Sequence, residues 1–153
     1  MKRALGEAVV VLVTGIAIAL GTNAFRRDGL PLRTDPRSLR VGTGVPLVDV
    51  AGAHEAFEQG AVFVDARPRP AYLAGHVEGA LSIPPENADA AYREGHDFLP
   101  ADGPVIVYAA AAEASLAGTR ATWLRTMGHA GASVLVDGWE AWQRAGYPAA
   151  AGE

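Results

Sequence analysis

The sequence predicts an α/β fold: a three-layer domain on a central parallel sheet, preceded by one transmembrane helix. Short β-branched runs alternate with helical stretches from Val45 onward, the pattern of strands joined by right-handed helical crossovers. One of those runs, Ala61–Val64, is continuously apolar before it ends in the carboxylate of Asp65, as a strand buried on both faces requires, and Pro104–Tyr108 reads as the central strand. Ahead of them, residues 8–25 carry no charge. As a helix that stretch spans about 27 Å, close to the hydrocarbon thickness of a bilayer.

Taken in order, residues 1–25 read as an N-terminal tail and membrane span. Only Thr14, Thr22 and Asn23 interrupt the apolar run, without forming the polar face of a soluble helix. A cleavable signal peptide is the rival. Thr22-Asn23-Ala24 is a poor small-residue cleavage site, and Arg26-Arg27 directly behind the run disfavours cleavage and export. A single-pass anchor is therefore expected. Counting Lys2 and Arg3 against the five arginines at 26, 27, 33, 37 and 40 holds the domain in the cytoplasm; a signal anchor with Lys2-Arg3 inside exports it. Both orientations stay open. Residues 26–44 form a connector rich in breakers such as Asp28-Gly29, Leu30-Pro31 and Asp35-Pro36.

The domain proper is expected over 45–148, with 149–153 as a C-terminal tail. A first strand over Val45–Val50 leads to a helix around Gly52–Gln59, then to the strand ending at Asp65. A short helix at Pro70–Ala74 precedes Gly75-His76. Ala80–Ile83 is a brief strand stopped by Pro84-Pro85, and Asn87–Leu99 a helix. The strand Pro104–Tyr108 comes next. Leu116, Trp123, Leu124 and Met127 recur at helical spacing within a helix over Ser115–Met127. Ser133–Val136 is the last strand, and Gly138–Ala145 the last helix, closed by Gly146.

Composition narrows the function. The chain has 153 residues, half of them hydrophobic and a fifth charged, a globular balance. A net charge of −4 without a basic stripe excludes nucleic acid as a partner. There is no cysteine, which removes disulfides, thiolate metal sites and internal persulfide chemistry. His54, His76, His96 and His129 show no i, i+4 pairing, so no metal and no cofactor is expected.

Four blocks in order resemble a single rhodanese domain, the fold of thiosulfate and other persulfide sulfurtransferases. They are Val62-Phe63-Val64-Asp65-Ala66-Arg67 with Tyr72, Gly75-His76-Val77-Glu78-Gly79-Ala80-Leu81-Ser82-Ile83-Pro84, Val105–Tyr108 with the loop and Ser115-Leu116-Ala117 behind it, and Val134-Leu135-Val136-Asp137-Gly138-Trp139-Glu140-Ala141-Trp142. The resemblance covers about residues 45 to 148. It implies a nucleophilic cysteine directly after the strand of the third block, where a thiolate at a helix N-terminus carries sulfane sulfur. Ala109 occupies that position, and Ala114 a second cysteine position found in some members. Asp137 replaces the first glycine of a closing Gly-Gly pair, and Ser82 a usual asparagine.

A methyl offers neither lone pair nor leaving group, so no catalytic residue is expected at 109. Ser115 is read as the cap of its helix rather than a nucleophile. The loop Ala109, Ala110, Ala111, Ala112, Glu113, Ala114, Ser115 remains a candidate nest for a small anion, with Glu113 opposing it. Asp65, Arg67, His76, Asp137 and Gly138 are expected to support that loop, and Trp139 and Trp142 to pack. The expected function is a membrane-anchored pseudo-sulfurtransferase that binds or scaffolds, beside the membrane and a membrane redox or sulfur-handling protein. The alternative is a sulfurtransferase whose cysteine is substituted here or supplied by a partner.

Overall fold

A computed structural model describes residues 44–152. The span expected over 8–25, and the connector as far as residue 43, lie outside the described residues. Among the described residues no helix is long and apolar enough to cross a membrane.

Five strands form the central sheet: β1 (Leu47–Val48), β2 (Val62–Asp65), β4 (Leu81–Ser82), β5 (Val105–Tyr108) and β6 (Ala132–Leu135). Their order is β1-β6-β5-β2-β4, and every pairing is parallel. Five α-helices connect them: α1 (Val50–Glu58), α2 (Arg69–Ala74), α3 (Ala88–Gly95), α4 (Ala114–Thr126) and α5 (Gly138–Arg144). A second sheet pairs β3 (His76–Val77) antiparallel with β7 (Ala149–Ala150).

The pleat sorts the core into two layers. Along β5, Val105 and Val107 face a cluster holding Ala117, Ala121 and Leu124 of α4, with Tyr92 of α3 packed against it. Ile106 and Tyr108 face the opposite cluster, with Ala53 of α1 and Trp139 and Trp142 of α5. Crossovers on both faces bury β5 throughout, which is why it reads as an unbroken apolar run.

Local chemistry sets the element ends. Asp49 Oδ1 accepts from the Gly52 amide at 2.7 Å, and Asp137 Oδ2 from the Val50 amide at 3.1 Å, so two carboxylates cap α1. At its far end the Ala61 amide returns to Ala56 O and the Gly60 amide to Phe57 O. That pattern needs a left-handed residue, supplied by Gly60 at φ +84°; Gly128 and Gly146 end α4 and α5 in the same way.

Several elements differ from the sequence expectation. Only Leu47–Val48 of the first strand pairs along its length, because Asp49 already caps α1. The helix expected over 87–99 ends at Gly95, followed by a 3₁₀ turn at His96–Phe98. The apolar face of α4 is made by Ala117, Gly118, Ala121 and Leu124; Leu116 and Trp123 are half-buried and Met127 is exposed. Small side chains let this helix lie close on the sheet, and a reading weighted to large residues misses them. The expected tail contributes β7.

The core should respond unevenly to truncation. Trp142 is fully buried between Phe57, Phe63 and Tyr147, and its indole N–H donates to Pro148 O at 2.9 Å. Trp142→Ala should cost about 3–5 kcal/mol and half-buried Trp123→Ala about 1–2. Urea denaturation of the two variants checks the ranking.

Candidate functional site

At the C-terminal end of β2 lies a buried polar network. Asp65 is wholly inaccessible and Arg67 nearly so. The Arg67 guanidinium clamps the carboxylate through Nε at 3.0 and 3.1 Å and through NH2 at 2.6 Å, and the Arg67 amide donates to Oδ1 at 2.9 Å. NH2 also donates to Gly75 O at 2.6 Å, tying the turn before β3 to β2. The guanidinium lies 4.9 Å from the Trp139 ring and 5.6 Å from that of Tyr108. Burial works against this cation, but hydrogen bonding and charge from Asp65 outweigh it and hold the group above its ordinary value.

Tyr108 and His76 extend the network. The Tyr108 hydroxyl accepts from the Val77 amide at 3.0 Å. Burial, with the Asp65 charge beside it, pushes this phenol far above its ordinary value. Burial likewise raises Tyr72, whose hydroxyl donates to Ala80 O at 3.0 Å. His76 Nδ1 lies 2.9 Å from Tyr72 O; a carbonyl only accepts, so this nitrogen carries the proton, and the imidazole stacks on the Tyr72 ring at 3.7 Å. Asp65, Arg67 and His76 are thus brought together as braces. Arg67 lies against the rings of Tyr108, which precedes Ala109, and of Trp139, whose amide donates to Ala109 O.

The loop follows β5. Ala109 is 1% exposed and belongs to the core cluster on the α4 face; its carbonyl accepts from the Trp139 amide at 2.9 Å. Ala110 is extended, and Ala111–Glu113 form a 3₁₀ turn closed by the Glu113 amide on Ala110 O at 2.8 Å. Ala111, Ala112 and Glu113 are exposed and Ala114 half-buried. The helix starts at Ala114, so Ser115 lies exposed in its first turn, and no side chain caps it. This corrects the capping role expected of Ser115: the 3₁₀ turn carries the chain into α4 one residue early.

Gly138 supports the loop by what it lacks. It sits at φ +68°, and a Cβ there would meet Ala111 N at 2.6 Å and Ala109 O at 2.8 Å. Asp137 Oδ2 accepts from the Val50 amide of α1, and the residue stands at the N-cap of α5. Glu140, a member of the fourth block to which the sequence assigned no role, accepts: its Oε2 takes the Ala111 amide at 2.8 Å. Its only signal was an acidic residue in the first turn of the last helix, and its partner stands 29 residues away.

Chemically, the site presents a buried methyl where the resemblance puts a thiolate, and a loop amide bonded to a carboxylate. Among the described residues no group of three or more His, Asp or Glu side chains gathers to hold a metal. A groove of about 540 Å³ beside β4 is lined by Arg69, Ser82, Glu86 and Phe98 among others, and by none of residues 109–115.

A test of the network is alkaline stability. A phenol raised on folding stabilises the fold fully below its unfolded value, and that contribution is lost as pH climbs toward the folded value. Stability should hold to about pH 10, the ordinary phenol value, and fall above it. Tyr108→Phe, which strands the Val77 amide, should lower neutral stability by about 1–3 kcal/mol and flatten the alkaline decline. Urea midpoints across that range measure both effects.

Comparison with known proteins agrees with this geometry. The rhodanese-like domain family pattern matches residues 49–145. The thiosulfate sulfurtransferase GlpE of Pseudomonas fluorescens (strain SBW25) is 39% identical over 95 residues, covering 60% of this chain and 78% of that protein. The crystal structure of the Alr3790 protein from Anabaena sp. superposes with a TM-score of 0.55 at 27% identity, covering 68% of this chain and 81% of that one. A rhodanese-related protein from Thermoplasma volcanium shares the fold with a TM-score of 0.52 at 21% identity, over 67% of this chain and 95% of that one. With the Asp65–Arg67 brace, the five-stranded parallel sheet and the loop behind β5, the chain belongs to the rhodanese-like domain family.

Proposed function

We propose that this chain is a membrane-anchored rhodanese-like domain that binds or scaffolds a partner and transfers no sulfur. One observation carries the reading: the residue at the nucleophile position is Ala109, a methyl packed into the core. Sulfur transfer by the route its named relative suggests needs a thiolate that attacks a sulfane sulfur and holds it as a persulfide. No side chain of this chain can take that part.

The alternative, a cysteine lent by a partner, meets a steric obstacle. Ala109 is 1% exposed, so an incoming thiol would have to displace core contacts to reach the place of the missing one. A binding role asks only for an exposed loop at the sheet's C-terminal edge and a tether. The uncharged stretch 8–25 supports the tether. A membrane redox or sulfur-handling protein is the partner class such a location suggests.

Thiosulfate-to-cyanide transfer by the purified chain should equal the no-protein control at every pH, since no protonation state restores a thiol. Turnover above control, with contaminating sulfurtransferase excluded, would overturn the reading. Ala109→Cys should fold with a loss of no more than about 1–3 kcal/mol, because one sulfur enlarges a filled site modestly. Its thiol should titrate below a free cysteine, set by the start of α4. The ultraviolet absorbance of the thiolate against pH measures this.

The anchor has its own test. The full chain should sediment with membranes, resist carbonate extraction and keep an intact N-terminus. Recovery of the intact chain in the soluble fraction would reject the anchor.

A further inference from the structure

We propose that Glu140 is a tethered carboxylate that occupies the anion-accepting amide of the 109–114 loop and closes it to outside oxyanions. The inference rests on reading the loop as a site without sulfur transfer, and it names what holds the vacated cradle.

The contact is built by three consecutive residues. Gly138 lacks the Cβ that would strike Ala111 N, so α5 can approach the loop. Trp139 fixes the approach with its amide on Ala109 O at 2.9 Å. Glu140 then sets Oε2 2.8 Å from the Ala111 amide. Arg144, one turn along, spends its Nε on the Glu140 main-chain carbonyl. Among the described residues the ion pairs join Asp65 to Arg67 and His96 to Asp97, and neither includes the Glu140 carboxylate.

A carboxylate on a backbone N–H is a charge-assisted bond, and tethering raises its effective concentration to the millimolar range or above. A dissolved anion must compete with that and also meet the charge of exposed Glu113. Both Glu140 and Ala111 are exposed, so the contact can open without unfolding anything. The ligand class it excludes is a small oxyanion such as thiosulfate or sulfate, which would seek the same amide.

The test titrates sodium thiosulfate and sodium sulfate into the ¹⁵N-labelled full chain in detergent at constant ionic strength, following the amides of residues 110–114. Wild type should show only weak, non-saturating shifts. Glu140→Ala and Glu140→Leu, neither of which keeps an acceptor, should saturate at concentrations at least about tenfold lower, equivalent to roughly 1.4 kcal/mol. The Ala111 amide should also exchange faster in Glu140→Ala. Glu113→Gln removes a charge from the same loop without freeing the amide, and should stay within about twofold of wild type. Equal binding in all four proteins overturns the proposal, as does an equal gain in Glu113→Gln, which would reveal mere charge repulsion. If Glu140→Ala fails to fold, Glu140→Leu, which keeps the bulk without an acceptor, decides. Turnover plays no part in this readout, so its failure leaves the absence of sulfur transfer to be judged separately.

Discussion

The buried pair of Asp65 and Arg67 is the constraint on which the rest of this domain depends. Taking two charges out of water costs several kcal/mol per ion, offset only when geometry is good and remaining donors are satisfied. Here the carboxylate receives the guanidinium at two oxygens and a backbone amide besides, while NH2 reaches Gly75 O. Trp139 and Tyr108 offer ring faces to the same cation. One side chain thereby gathers the end of β2, the turn before β3, the end of β5 and the start of α5. Removing either partner would leave the other charge buried and uncompensated, so the pair acts as a geometric lock.

What that lock positions was partly legible in the sequence. Strands buried on both faces are apolar throughout, and Asp65-Ala66-Arg67 sits at the end of one of them, so the sheet centre and the brace could be read from local pattern. Helix ends were legible where a glycine marks them, as Gly146 does. The rest depends on distance in space. β3 and β7 have two residues each and exist only because His76 meets Ala150 across the fold, which no periodicity encodes. The close face of α4 is written in Ala117, Gly118 and Ala121, which carry little hydrophobic signal in a chain so rich in alanine. Ser115 looked like a cap because the 3₁₀ turn that displaces the helix start is set by tertiary contacts.

Scaffold and chemistry separate cleanly in this fold. Arg67, Tyr108, Gly138 and Trp139 fix where the loop lies, and none of them requires a thiol at 109. Ala109 joins the core cluster and gives its carbonyl to the Trp139 amide, so its own contribution to order is made by packing and backbone. A domain can therefore lose its nucleophile and keep its loop. Fold membership then says little about activity, and the site must be argued from the atoms present.

Those atoms differ in how they can respond. The methyl of Ala109 is at the bottom of the site, out of reach of solvent, and no ligand or pH change can alter what it offers. The Glu140 carboxylate is at the rim, exposed, and joined to the loop by a single hydrogen bond. A bond of that kind contributes modestly because water competes for both ends. The bottom of the site carries no thiol, whereas the rim is joined by a contact open to solvent. A partner that brings a cation to Glu140, or a stronger acceptor to the Ala111 amide, acts at the rim and leaves the Asp65–Arg67 lock untouched.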